Sequence, residues 1–103
     1  MYLPKVYEKF TSRYREVFKD FQQLGKTCRD SGPLEKKYQD LANLGIAIGA
    51  NSRGAVMSQT RKALDSGASK EEISHVVLLS LTTIGFPKMI AAMGWVDEVL
   101  KDS

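Results

Sequence analysis

Residues 61–80 read RKALDSGASKEEISHVVLLS, and this stretch decides the fold. A helix closes at about Ser66, with Gly67 supplying the residue that a helix end favours at its C-terminal cap. Ser69-Lys70-Glu71-Glu72 then has the form of a capping box, in which a serine hydroxyl and a glutamate three residues later satisfy each other's backbone amides. The helix it opens carries Ile73, Val76, Val77, Leu81 and Ile84 at helical spacing. Gly85 and Pro87 end it and start another, whose apolar positions are Ile90, Met93, Val96 and Leu100.

Upstream the same period continues. A helix is predicted from Pro33, with Glu35 near its exposed first-turn amides. Its apolar positions are spaced at Leu34, Tyr38 and Leu41 and then almost continuous from Leu44 to Ala50. Such a run predicts burial on every side. Gly45 and Gly49 lie four apart on one face, where they would let another backbone come close. Asn51 and Ser52 supply a break and a new N-cap. The first segment places Leu3, Val6, Tyr7, Phe10, Tyr14, Val17, Phe18, Phe21 and Leu24 on one stripe, with Pro4 in its first turn and Gly25 as terminator. That stripe predicts a helical lid packed on a core. Residues 26–32, KTCRDSG, read as a polar connector. No segment alternates with the two-residue period of a strand, so the chain is expected to be all-α, with about five helices.

A chain of 103 residues holds one domain, here 1–103, with an N-terminal helix at 1–25 and a helical core at 33–101. Its 43% apolar and 26% charged residues exclude a disordered chain, a collagen-like repeat and a disulfide scaffold. The longest apolar run, Val76 to Leu79, is too short to cross a bilayer. The charged opening MYLPKVYEKF does not resemble an export signal, and the single Cys28 fits a reducing cytosol, so a cytoplasmic protein without membrane association is expected.

The net charge of +3 is carried entirely by residues 1–40, where nine Lys and Arg face six Asp and Glu. Those charges alternate in sign along the first helix, a solvated face rather than a phosphate-binding stripe, and no nucleic-acid partner is expected. The helices at 33–50, 69–84 and 87–100 carry more apolar surface than a chain this short can hide. A homo-oligomer is therefore expected.

Reactive groups are few. No metal-ligand spacing, phosphate loop or nucleophile elbow is present, and no metal or cofactor is expected. His75 lies beside the apolar face of its helix, with Glu71 and Glu72 as its only close acids, and reads as a surface or half-buried histidine. Cys28 sits in the polar connector near Lys26 and Arg29, without a resolving thiol.

From about Leu34 to Leu100 the chain resembles the carboxymuconolactone decarboxylase and alkylhydroperoxidase D-like superfamily. The matching stretches are KYQDLANLGIAIGANS, RKALDSGASKEEISHVVLLS and IGFPKMIAAMGWVDEVL. The resemblance implies an all-helical domain assembled as a homotrimer or homohexamer. It also implies peroxidase-type (peroxiredoxin) or lactone decarboxylase activity, the latter a lyase. The hydroperoxidase branch uses a Glu, a Cys-x-x-Cys twelve residues on and a His four beyond the second Cys. Those positions fall here on Asp40, Ser52, Ala55 and Gln59. Peroxide reduction needs a thiolate to attack the O–O bond and a second thiol to resolve the sulfenic acid. Neither Ser52 nor Ala55 supplies one.

Asp40, Ser52 and Gln59 remain as candidate catalytic positions, with the Asp40 carboxylate expected either to face the other two or to point to solvent beside Lys36 or Lys37. Arg53 and Arg61 are candidate binders of a substrate carboxylate. Two functions stay open. One is a non-peroxidatic oligomer with a degenerate redox site, binding a small molecule in the family pocket. The other is a non-thiol acid–base enzyme, a lyase or antioxidant-type oxidoreductase, acting on a small organic acid or peroxide.

Overall fold

The computed structural model describes residues 5–103, and Leu3 and Pro4 of the predicted first stripe lie outside them. Among the described residues there is no strand, and seven helical segments follow one another: α1 Lys5–Arg13, α2 Arg15–Asp30, α3 Lys36–Gly49, α4 Arg53–Asp65, α5 Lys70–Leu79, α6 Leu81–Ile84 and α7 Phe86–Leu100. The all-α class stands. The chain divides into two compact units, residues 1–33 and 34–103.

In the first unit α1 and α2 are separated only at Tyr14, whose ψ of 59° leaves the helical range. Its amide still donates to Phe10 O at 2.9 Å, and its carbonyl accepts from Phe18 N at 2.9 Å. Edge-on contact between Tyr7 and Phe18, at 5.8 Å between ring centres, ties the two segments. The aromatic stripe forms, and no residue of α1 or α2 is buried.

The predicted terminator and connector also differ. Gly25 lies inside α2, which continues through residues 26–30. Lys26 and Asp30 pair at 2.6 Å one turn apart, and Thr27 Oγ1 donates to Gln23 O at 3.0 Å. These polar side chains bond along the helix rather than ending it. Cys28 is therefore an exposed helical residue, not a loop thiol.

The second unit holds the core. α3 begins at Lys36, three residues after the predicted Pro33, because Glu35 is extended at φ −64°, ψ 156° and serves as its N-cap. α3 and α4 form an antiparallel hairpin through residues 50–52, where Asn51 takes φ 55° and Ser52 caps α4. Leu44, Ile48, Val56, Ala63, Ile73, Val77 and Val96 interlock at its centre, each 1% exposed or less.

The capping box of α5 is fully formed: Glu72 N donates to Ser69 Oγ at 3.0 Å, and Ser69 N donates to Glu72 Oε1 at 2.9 Å. The helix predicted through Ile84 breaks at Ser80, whose hydroxyl donates to Val77 O at 2.7 Å and so turns the chain into α6. Gly85, at φ 90° and ψ 165°, separates α6 from α7.

Two expectations of burial shift. On α7 the buried residues are Met89, Ala92, Val96, Val99 and Leu100, whereas Ile90 is exposed. α3 is not buried all round, since Ile46 is 70% exposed. Nor does another backbone among the described residues approach its glycines. A Cβ built at Gly49 meets nothing within 4 Å, and one at Gly45 meets only Val76 Cγ1 at 3.7 Å.

Candidate functional site

α3 and α4 carry all four motif-equivalent positions or their caps. Asp40 projects from the second turn of α3 on the face that also holds Leu44, Ala47 and Ile48, all buried. Its residue exposure is 3%, which puts a carboxylate against the apolar core. Such a group needs a charge partner or hydrogen bonds to stay there. Lys36, one turn earlier, donates its Nζ to Asp40 Oδ2 at 2.9 Å, while most of the Lys36 side chain stays in solvent. Asp40 therefore sits beside Lys36, as one expectation had it, yet it is buried rather than turned to water.

The alternative grouping is not assembled by direct bonds. Ser52 lies past the end of α3, and the nine residue steps from Asp40 to Gly49 span about 13 Å of helix. The Ser52 hydroxyl accepts the amide of Ala55 at 3.3 Å, closing the N-terminus of α4. Gln59 stands two turns further along α4. Its Oε1 is buried and has no hydrogen-bond partner among the described residues. That orphaned acceptor is the position where the hydroperoxidase motif carries histidine. The family resemblance pointed to Gln59, but nothing in the sequence signalled that its oxygen would be left unpaired.

A second buried polar group lies beside it on the same helix. Thr60 is fully buried and donates its hydroxyl to Val56 O at 2.7 Å, so it is satisfied within α4. Sequence periodicity did not single out Thr60, because a threonine bonded to the preceding turn is indistinguishable from a surface one until the helix is placed.

The two arginines have different fates. Arg53 Nη2 pairs with Glu98 Oε2 of α7 at 3.0 Å, both side chains being about half exposed. Arg61, on α4, is half-buried and makes no ion pair or hydrogen bond among the described residues. Its guanidinium is thus the unengaged one of the pair. His75 is exposed on α5.

On another face of the α3 helix, Lys37 Nζ donates to Glu72 Oε2 at 3.2 Å and ties α3 to the capping box of α5. The Glu72 carboxyl is held below its ordinary value, first by the Ser69 amide and then by Lys37. Lys37 is raised above its own, chiefly by the bond to Glu72. An open apolar groove of about 410 Å³ lies between α3 and the α5–α6 segment, floored by Gly45 and Gly49 and walled by Leu41, Val76 and Leu79.

No three His, Cys, Asp or Glu side chains converge as a metal site among the described residues. No helix among them is long and apolar enough to cross a membrane.

Comparison with known proteins gives two matches. The model of the carboxymuconolactone decarboxylase family matches residues 15–98. The uncharacterized protein MJ1511 of Methanocaldococcus jannaschii is 31% identical over 99 residues, which cover 96% of this chain and 82% of that protein. No solved structure matches.

Proposed function

We propose, for a chain that belongs to the carboxymuconolactone decarboxylase family, a homo-oligomeric protein that has lost thiol redox chemistry and holds a small molecule where relatives hold a redox site. The observation that carries this reading is the use of Ser52. Its hydroxyl is spent on the Ala55 amide at the start of α4, Ala55 has no reactive group, and the one cysteine is exposed on α2. A hydroxyl with a pKa far above 7 cannot replace a thiolate as the nucleophile on a peroxide. The orphaned Gln59 Oε1 supports a ligand that donates a hydrogen bond, and Arg61 supports one with an anionic group. A trimer or hexamer working in the reducing cytosol, with neither nucleic acid nor membrane as partner, completes the reading.

The test has two arms. Purified protein supplied with a thiol reductant and hydrogen peroxide or an alkyl hydroperoxide is expected to consume peroxide no faster than its Cys28→Ser variant. Turnover that depends on Cys28 would refute the loss of thiol chemistry. Native mass spectrometry of protein from its own host is expected to show a bound small molecule that Gln59→Ala releases. An empty wild type would remove the binding role.

The burial of Asp40 favours a second reading, a non-thiol acid–base enzyme of the lyase or antioxidant type. A carboxylate away from bulk water with one ammonium beside it is a competent proton carrier for a small organic acid. Substrate turnover abolished by Asp40→Asn, with the fold intact, would select this reading over the first.

A further inference from the structure

The first segment of the chain carries a strict order that its backbone interrupts. Tyr7, Phe10, Tyr14, Val17, Phe21 and Leu24 follow one another at alternating steps of three and four residues. That alternation keeps side chains on one face only while a helix runs unbroken. The helix stops inside it, at Tyr14, whose φ of −123° and ψ of 59° place it between α1 and α2.

Nothing in the local sequence requires a break there. Residues 11–17 read TSRYREV, without proline or glycine, the usual causes of a sharp bend. The bonds into and out of Tyr14 persist, from its amide to Phe10 O and from Phe18 N to its carbonyl, both at 2.9 Å. Since Tyr14 belongs to neither helix, the bonds that an unbroken helix runs past it are not made, from Arg15 N to Thr11 O and from Val17 N to Arg13 O. Rotation about this one residue restores them. It also sets Arg13 and Glu16 three residues apart on one helix, a favourable opposite-charge pair.

What holds the bent form is small. Tyr7 and Phe18 meet edge-on at 5.8 Å between ring centres. In an unbroken helix their eleven residue steps would put them about 16 Å apart along the axis, so this contact exists only in the bent form. The clasp is poorly sealed, since Tyr7 is 42% exposed and no residue of α1 or α2 is buried. One partly wet ring pair therefore stands against backbone bonds and a charge pair, and terms this small and opposed leave neither form dominant.

We propose that Tyr14 is a hinge, and that residues 5–30 exchange between the clasped α1–α2 hairpin and one continuous helix. Opening trades the Tyr7–Phe18 contact for a single helix about 39 Å long, on which the stripe from Tyr7 to Leu24 is uninterrupted. Closing folds Tyr7 back onto Phe18 and divides the stripe between two axes. The hinge thus governs when that stripe is presented whole, and it stands independently of the ligand reading above.

Distances between paired spin labels test the hinge. Lys5→Cys and Gln23→Cys, both at exposed positions, are introduced in a Cys28→Ser background and labelled. Co-expression with an excess of the Cys28→Ser chain ensures that only pairs within one chain are read. The continuous helix puts the two backbone positions about 27 Å apart on one face, and the clasped form brings them closer. The doubly labelled protein is expected to show both distances. Adding Phe18→Ala, which removes the clasp, is expected to raise the longer-distance fraction at least twofold. Adding Arg15→Pro, tolerated in the first turn of α2 but not inside a helix, is expected to leave the shorter distance alone. A longer-distance fraction that Phe18→Ala fails to raise and Arg15→Pro fails to lower would overturn the hinge. A single distance shared by all three proteins would do so outright.

Discussion

Lys36 reaches one turn along α3 to place its ammonium 2.9 Å from Oδ2 of Asp40, an exposed cation neutralising an almost fully buried carboxylate. The two partners do not contribute equally. Removing Lys36 leaves a charge facing the core, whereas removing the charge of Asp40 leaves only an exposed lysine. Lys36→Ala is expected to lower stability by about 1–2 kcal/mol, below the full cost of breaking a buried pair because water reaches the lysine side. Asp40→Asn should cost less than Lys36→Ala. Urea denaturation of both variants checks the order, and a larger loss for Asp40→Asn would mean that the carboxylate has bonds beyond Lys36.

Backbone geometry at the α6–α7 junction gives the next expectation. Gly85 combines φ 90° with ψ 165°, a region that residues with a Cβ essentially never occupy. A Cβ there would meet no neighbour, so the cost of substitution is backbone strain alone. Gly85→Ala is expected to destabilise by about 1–3 kcal/mol. Ser69→Ala, which removes one half of the capping box, is expected to cost about 1 kcal/mol. Thermal melts that show Gly85→Ala to be neutral would place the turn in a different conformation.

Such turn chemistry was legible from the residues alone. Gly67, Ser69 with Glu72, Asn51 with Ser52 and Gly85 each impose a local geometry that no packing partner needs to confirm. Where polar residues had two local options, the reading failed. Thr27, Lys26 and Asp30 can bond forward along a helix or leave it, and they bond along it. Ser80 does the opposite and breaks the segment predicted to run through Ile84. Burial of an apolar run was equally ambiguous, since Ile46 and Ile48 are identical side chains in the run, and only the docking of α4 and α5 decides that one is exposed. For the candidate site, the family resemblance pointed to Asp40, Ser52 and Gln59. Ser52 stood both as an N-cap and as a candidate catalytic position, because capping and catalysis ask for the same hydroxyl, and that hydroxyl caps α4.

The Lys37–Glu72 link between α3 and α5 makes stability depend on pH in a defined way. Glu72 titrates below its ordinary 4.5, so its stabilising contribution is complete above 4.5 and is lost as pH falls beneath it. Lys37 titrates above its ordinary 10.5, so its contribution is complete below 10.5 and is lost as pH rises further. The stability difference between wild type and Glu72→Gln is therefore expected to be greatest between these limits and to shrink on both sides. Denaturant midpoints measured across the pH range check this. A difference that does not vary with pH would assign the effect to the Ser69 cap geometry rather than to charge.

Arg53 and Arg61 differ in their partners, and that difference can be tested. Arg53 pairs with Glu98 at 3.0 Å in an exposed setting, and such pairs are worth at most about 1 kcal/mol. Arg53→Ala should therefore cost little, and nothing of ligand binding. Arg61 is half-buried, with no counter-charge among the described residues. Replacing that charge while keeping most of the stem, as in Arg61→Gln, should leave stability unchanged or raise it. If the charge is retained for an anionic ligand, the same variant should weaken binding of a small carboxylate at least tenfold. Thermal shift titrations with benzoate on wild type, Arg53→Ala and Arg61→Gln measure both effects in one series. A clear loss of stability in Arg61→Gln without ligand would show that the guanidinium has a partner within the protein, and equal benzoate responses in all three would remove Arg61 from the site.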